Sequence, residues 1–248
     1  MMTDKNMKNK IIIVTGATRG IGRAIAERLV SQGVVVVGTG TRDTEKRMRG
    51  EAGLEGVVWK DLDVGDATSM NNFIEELPLL GPIQGLVNNA GINRIKPISE
   101  VSEEDFAEVL SVNLRAPYLL CQTIGKGMAE RGGGSIVNIA SIWSVVSKPG
   151  RTLYTTAKSG LAGLTRALAV ELGPSGVLVN TLSPGFTLTD LTKQSLTQSE
   201  MDQLCEQIPL RKMADPDDIA RTVAFLVGPE NRYITGQNLV VDGGFTIV

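Results

Sequence analysis

The sequence predicts an α/β fold, a doubly wound parallel sheet of about seven strands with helices on both faces, and three observations carry that expectation. Short β-branched runs recur along the whole 248-residue chain, and they are apolar throughout rather than alternating, as strands buried on both faces are. Longer stretches with apolar residues at helical spacing separate them, so each passage between strands has the length of a crossover helix. No linker, internal repeat or low-complexity tract interrupts the alternation, and residues 1–248 read as one domain.

Seven runs qualify as strands, at residues 11–14, 34–37, 57–59, 85–87, 135–139, 177–180 and 238–241. Between the first two, Ile21, Ile25 and Leu29 repeat at i, i+4 and i+8, and Gly33 stands where such a helix ends, giving one βαβ unit. A helix is expected over about 103–128. Another is expected over 154–172, where Ala157, Leu161, Leu164 and Leu168 form a stripe closed by Gly173-Pro174.

Composition then narrows the chemistry. The chain has no histidine, which excludes Ser-His-Asp and Cys-His nucleophiles and His-ligated metals, and no metal site is expected. Its 25 basic and 27 acidic residues give no field that would gather nucleic acid or an anionic membrane. The polar start MMTDKNMKNK and the short run Ile11-Ile12-Ile13-Val14 fit neither a signal-peptide core nor a membrane span, so a cytoplasmic protein is expected. Cys121 and Cys205 are expected as buried, reduced thiols.

Ligands of doubly wound sheets bind beyond the carboxyl ends of the strands. After the first strand comes Thr15-Gly16-Ala17-Thr18-Arg19-Gly20-Ile21-Gly22, which opens a helix, the setting of a dinucleotide-binding turn. Its G-x3-G-x-G spacing departs from G-x-G-x-x-G, and by itself it also fits a plain glycine-rich connection. The second strand is followed by Thr41 and Arg42 with no carboxylate before Asp43, so Arg19 and Arg42, with the Thr41 hydroxyl, point to a 2′-phosphate and to NADP(H) over NAD(H). The other reading of Arg42 is the start of a solvated basic stretch.

Tyr154 and Lys158 stand at i and i+4 near the start of a helix, one turn apart on one face. A phenol titrates near pH 10, and a nearby ammonium and a cationic nicotinamide both favour its anion, which makes it a usable proton donor and acceptor. Ser141 follows the fifth strand, where its hydroxyl either holds a carbonyl oxygen beside the phenol or caps a turn. Asn113 lies four residues before Pro117, which cannot donate to the Asn113 carbonyl; that carbonyl either holds a water that serves Lys158 or marks a plain kink.

T-G-A-T-R-G-I-G at 15–22, N-N-A-G at 88–91, Asn113, Ser141, Tyr154-x-x-x-Lys158 and Pro184-Gly185 together resemble the short-chain dehydrogenase/reductase family, over nearly the whole chain. G-T-G-T at 38–41, P-G-F at 184–186 and Y-I-T-G-Q-N-L-V-V-D-G-G at 233–244 resemble its β-ketoacyl-ACP reductase branch most. The resemblance implies a Rossmann-type domain that exchanges hydride between nicotinamide C4 and a carbonyl carbon. Tyr154 would donate the proton, Lys158 would bind the nicotinamide ribose and lower the Tyr154 pKa, Ser141 would orient the carbonyl, and Asn113 would hold a relay water. Gly16, Thr18, Arg19, Gly20, Ile21 and Gly22 would bind the diphosphate side. Asp63 and Val64 would meet the adenine, Asn89, Ala90 and Gly91 would support the adenosine side, and Pro184, Gly185, Thr187 and Thr189 would meet the carboxamide and phosphates. A homotetramer is implied as well, formed through the helices of Asn113 and Tyr154 and the carboxyl-terminal segment.

The implied substrate pocket follows Ser141 and Pro184-Gly185, with Trp143, Leu153 and Leu188 foremost and Val145, Val146, Leu191, Leu196, Met201 and Leu204 beyond. Its apolar character suits an acyl chain, although the same spacing over 188–208 also fits simple packing. Acyl carrier protein, an acidic partner, is the implied carrier. The loop Gly173-Pro174-Ser175-Gly176 lacks the arginine such reductases commonly present to it, leaving Arg131. Arg94, Lys96, Lys148 and Arg151 suit a small anionic substrate such as a sugar acid, or plain solvated surface. The leading expectation is an NADPH-dependent 3-oxoacyl-thioester reductase. The alternatives are a dehydrogenase of polyols, sugar acids or other secondary alcohols, and a cofactor sensor without chemistry.

Overall fold

The computed structural model describes residues 7–248, apart from the side chains of Leu191 and Ser195; residues 1–6 of the polar start lie outside the described residues. The amino-terminal half runs β1 (Ile11–Val14), α1 (Gly20–Ser31), β2 (Val35–Gly40), α2 (Thr44–Met48), β3 (Val58–Asp61), α3 (Ala67–Glu76) and β4 (Ile83–Asn88). It continues with α4 (Glu103–Leu110), α5 (Ala116–Glu130), β5 (Gly134–Ile139), α6 (Thr152–Leu172) and β6 (Val177–Pro184). The chain ends with α7 (Asp190–Ser195), α8 (Gln198–Gln207), α9 (Pro216–Val227) and β7 (Asn238–Val241).

The strands form one parallel sheet in the order β3-β2-β1-β4-β5-β6-β7, the doubly wound architecture expected. Successive residues of β1 serve opposite layers. Ile12 and Val14 pack with Ile25 and Leu29 of α1 and Ile219 and Val223 of α9, whereas Ile13 packs with Phe73 of α3 and Leu120 and Ile124 of α5. Burial on both faces is why the strands read as unbroken apolar runs. Strand order reverses between β1 and β4, which opens the crevice where such sheets bind ligands.

Three expectations are corrected. First, β2 and β6 run beyond 34–37 and 177–180, to Gly40 and Pro184. Gly38 is a packing position within β2, since a Cβ there would meet the Trp59 ring at 2.7 Å. Second, the helix expected over 103–128 is α4 and α5 separated by a π-helical turn, Ser111–Arg115, in which the Ala116 N–H donates to Ser111 O. Pro117 supplies no N–H to continue the regular ladder, and the hydrogen bonds shift register just before it. Third, Cys121 is buried, where burial pushes its thiol up to about 12, but Cys205 is only half-buried, because α8 buries none of its residues. Among the described residues no helix is long and apolar enough to cross a membrane.

Candidate active site

The turn between β1 and α1 is shaped to receive a diphosphate. Gly16 and Gly20 take φ of +64° and +56°, and a Cβ at Gly22 would lie 2.2 Å from the Gly16 carbonyl oxygen. Arg19, in the N-cap position, makes no capping bond and the first turn carries no acid, so the leading N–H groups of α1 have no side-chain acceptor. Asn89 holds the turn from β4: its amide donates to the carbonyls of Thr15 and Gly16 at 2.9 and 3.1 Å. The N–H groups of Asn89 and Ala90 donate to the Thr15 hydroxyl at 2.9 and 3.0 Å. A Cβ at Gly20 would reach the Thr189 methyl at 3.4 Å, so the segment after β6 lies against the same turn. Glycines with no room for a side chain, an uncapped helix start and Thr189 opposite fit a dinucleotide diphosphate.

Beyond β2, Thr41 and Arg42 are exposed, and neither the Arg19 nor the Arg42 side chain makes a hydrogen bond or ion pair among the described residues. The nearby carboxylate of Asp61 accepts the N–H groups of Asp43 and Thr44 at 3.1 and 2.8 Å, which fixes the loop. The Asp63 carboxylate accepts the Gly65 N–H at 3.0 Å, and Val64 beside it is half-buried.

Ser141, Tyr154, Lys158 and Asn113 converge beside this crevice. Ser141 ends the β5 segment, buried, and its hydroxyl accepts the Trp143 N–H at 3.3 Å and pairs with the Tyr154 phenol. Ser141 is therefore both the turn cap and the partner of the phenol. Lys158, 3% exposed, donates to the Ile139 carbonyl at 2.8 Å, with Nζ 5.6 Å from the centre of the Tyr154 ring. Asn113, fully buried, donates to the carbonyls of Ile92 and Val109 at 2.8 and 3.0 Å and accepts the Ile92 N–H at 3.3 Å. A Cβ at Gly91 would lie 2.7 Å from Asn113 Oδ1 and 3.5 Å from Lys158 Nζ, so Gly91 is the contact point of the two.

Electrostatics here runs against one expectation. Burial raises the Tyr154 phenol, with the Ser141 hydroxyl and Arg151 working the other way. Burial also pushes Lys158 down to about 8, closer to neutrality than its spacing suggests.

On the substrate side the structure adds residues that the spacing did not reveal. Trp143 packs edge-on against Phe186 and Phe245 at 6.3 and 6.4 Å, and those two rings meet at 5.1 Å. Each ring follows the carboxyl end of β5, β6 or β7, three neighbours in the sheet, which is the signal that unites them. Lys148 and Arg151 both lie over the Trp143 ring, 5.3 Å from its centre. Leu188 is 37% exposed, whereas Leu153 is buried against Val109 and Ala157 and serves packing. Leu196, Met201 and Leu204 are half-buried, and the Leu191 side chain lies outside the described residues. Arg131 is tied back by a bond to the Ile83 carbonyl at 2.6 Å.

Comparison with known proteins agrees with this geometry. A family profile described as Enoyl-(Acyl carrier protein) reductase matches residues 16–246. The 3-oxoacyl-[acyl-carrier-protein] reductase FabG of Vibrio harveyi is 37% identical over 244 residues, covering 98% of this chain and 100% of the relative. The protein of the same name from Aquifex aeolicus is 40% identical over 243 residues, covering 96% and 98%. A solved structure from Beutenbergia cavernae, provisionally named an NAD(P) dependent gluconate 5-dehydrogenase and containing NADP at low occupancy, matches with a TM-score of 0.91 at 36% identity, covering 98% and 99%. The chain belongs to the short-chain dehydrogenase/reductase family and is an NAD(P)-dependent oxidoreductase similar to the 3-oxoacyl-[acyl-carrier-protein] reductases.

Proposed function

We propose that this chain reduces the 3-oxo group of an acyl thioester to the 3-hydroxy form, using NADP(H) in preference to NAD(H). The observation that carries the reading is the Tyr154 phenol paired with Ser141 and standing beside Lys158, at the mouth of a crevice shaped for a dinucleotide. A bound nicotinamide dinucleotide supplies the hydride. Ser141 and Tyr154 hold the carbonyl oxygen between their hydroxyls, and Tyr154 gives that oxygen its proton as the alcohol forms. Lys158 is fixed by Ile139 O and favours the phenolate left behind; its position beside Gly91, which also adjoins Asn113, supports a route by which water restores the proton. The Asn113 side chain is engaged with Ile92 and Val109, so its part in that route runs through its main-chain carbonyl.

Preference for NADP(H) is supported by Arg19 and Arg42, which no acid engages among the described residues, and by the Asp61 carboxylate being occupied by loop N–H groups. The Trp143, Phe186 and Phe245 wall suits an apolar acyl chain. We read residues 1–248 as one cytoplasmic domain that works as a homotetramer, with acyl carrier protein as the carrier. A second reading, a dehydrogenase of polyols, sugar acids or other secondary alcohols, is favoured for the acids by Lys148 and Arg151, which no carboxylate pairs among the described residues.

The test is NADPH consumption with acetoacetyl-CoA, run beside NADH and a Tyr154→Phe control. Turnover that prefers NADPH and falls about a hundredfold or more in Tyr154→Phe supports the proposal. NADPH binding without turnover of the thioester removes the thioester reading, and retained turnover in Tyr154→Phe removes the proton donor.

A further inference from the structure

Four cations stand near the carboxyl edge of the sheet, and the structure divides them into two pairs. Arg94 is held by Glu108 through bonds of 2.8 to 3.1 Å, and Lys96 is held by Asp105. Lys148 and Arg151 have no acid and no hydrogen-bond acceptor among the described residues. Both lie over Trp143 at 5.3 Å from its centre, and the Arg151 Nε is buried without a partner.

This arrangement is costly for the protein alone. Burial lowers the pKa of both groups, and Arg151 lowers that of Lys148 further by repulsion. The buried Arg151 Nε–H, without an acceptor, forfeits a hydrogen bond that it would make in water. Contact with the indole offsets part of that cost, and it holds each of the two charges 5.3 Å from the centre of one ring.

The spot is tied to the reacting groups from both ends. Trp143 donates its backbone N–H to the Ser141 hydroxyl, and Arg151 precedes Tyr154 by three residues and acts electrostatically on its phenol. We infer that Lys148 and Arg151, laid over Trp143, form a subsite for the carboxylate that a small acid of the second reading carries within a few bonds of its reacting carbon. A carboxylate suits the pair because its two oxygens match one guanidinium edge and one ammonium. Glu108 and Asp105 already neutralise the other two cations, so the subsite is confined to Lys148 and Arg151. The inference rests on Tyr154 as the proton donor, and it extends the second reading by naming what the substrate must carry.

The experiment has two arms on the protein saturated with its dinucleotide. In the first, NADPH-dependent reduction of acetoacetate is compared with that of ethyl acetoacetate, the same skeleton with its charge removed. Wild type is expected to favour the acid in kcat/KM, and Lys148→Gln/Arg151→Gln to lower that preference about tenfold or more. An unchanged preference overturns the inference. In the second arm, malonate is titrated calorimetrically into the NADP+ complex of wild type, Tyr154→Phe and Lys148→Gln/Arg151→Gln. Binding that Tyr154→Phe keeps and the double variant weakens about tenfold supports the subsite even where turnover fails, which isolates a failure of the proton-donor reading. Equal malonate affinity in wild type and the double variant, or no binding to wild type, overturns the subsite itself.

Discussion

Replacing Lys158 by Met should abolish turnover and yet stabilise the fold at neutral pH. Lys158 is 3% exposed, and burial pushes its pKa from 10.5 to about 8. At about 1.4 kcal/mol per pH unit, keeping this ammonium charged inside the fold at pH 7 costs about 3 kcal/mol. Met fills a similar volume without the charge but leaves the Ile139 carbonyl, now 2.8 Å from Nζ, without its donor, a loss of about 1–2 kcal/mol. A net gain of about 1–2 kcal/mol at pH 7 is expected. Because the folded pKa lies below the unfolded one, the folded state releases this proton first. Wild type therefore gains stability as pH rises from about 8 toward 10.5, and the variant does not. Between pH 7 and pH 9.5 wild type should gain about 2 kcal/mol on Lys158→Met. Tyr154, whose pKa is shifted upward from 10.0, stays largely protonated up to pH 9.5 in both folded proteins and adds little to the difference. Urea unfolding followed by far-ultraviolet circular dichroism at the two pH values reads it directly. Stabilities that run in parallel over that range would refute the depressed pKa and the strained lysine with it.

Three further outcomes are expected. Arg19→Ala/Arg42→Ala should raise the KM for NADPH about tenfold or more and leave that for NADH nearly unchanged; equal effects on the two remove the 2′-phosphate reading. Gly22→Ala places a methyl 2.2 Å from the Gly16 carbonyl oxygen, and should cost about 2 kcal/mol or more and weaken dinucleotide binding by calorimetry, whereas unchanged binding would show that the turn is not the cradle. Phe106, Tyr118 and Val170 expose apolar surface on α4, α5 and α6, so light scattering should give the mass of four chains, and Phe106→Glu/Val170→Glu should shift it to smaller species.

The centre of the sheet was legible because both of its faces are buried: Ile12 and Ile13 face opposite layers, so β1 is apolar throughout. Strand ends were not legible where glycine and proline intrude, because Gly38 is a space for Trp59 and Pro184 is the last residue of β6, after which the Gly185 N–H donates to the Val241 carbonyl. The reacting side chains were legible because Tyr154 and Lys158 share one helical turn, a local relation. What hid was the balance of burial against charge: the same spacing suggests a lysine that lowers the phenol, but the depth of Lys158 decides how much charge it carries.

The substrate side shows where such legibility ends. Trp143, Phe186 and Phe245 lie far apart in sequence, and only the order β5-β6-β7 brings their strand ends into one wall. The four nearby cations looked alike along the chain, and acids elsewhere decide their fates, Glu108 and Asp105 on α4 engaging Arg94 and Lys96. Among the described residues no acid engages Lys148 or Arg151, and Arg151 stands three residues before the phenol that would give up the proton. An apolar wall and an unpaired cation pair at one mouth favour different substrates, a long acyl chain and a small acid. Comparing one carbon skeleton as acid and as ester therefore bears on specificity more directly than lengthening the chain, because it changes only the group that Lys148 and Arg151 can read.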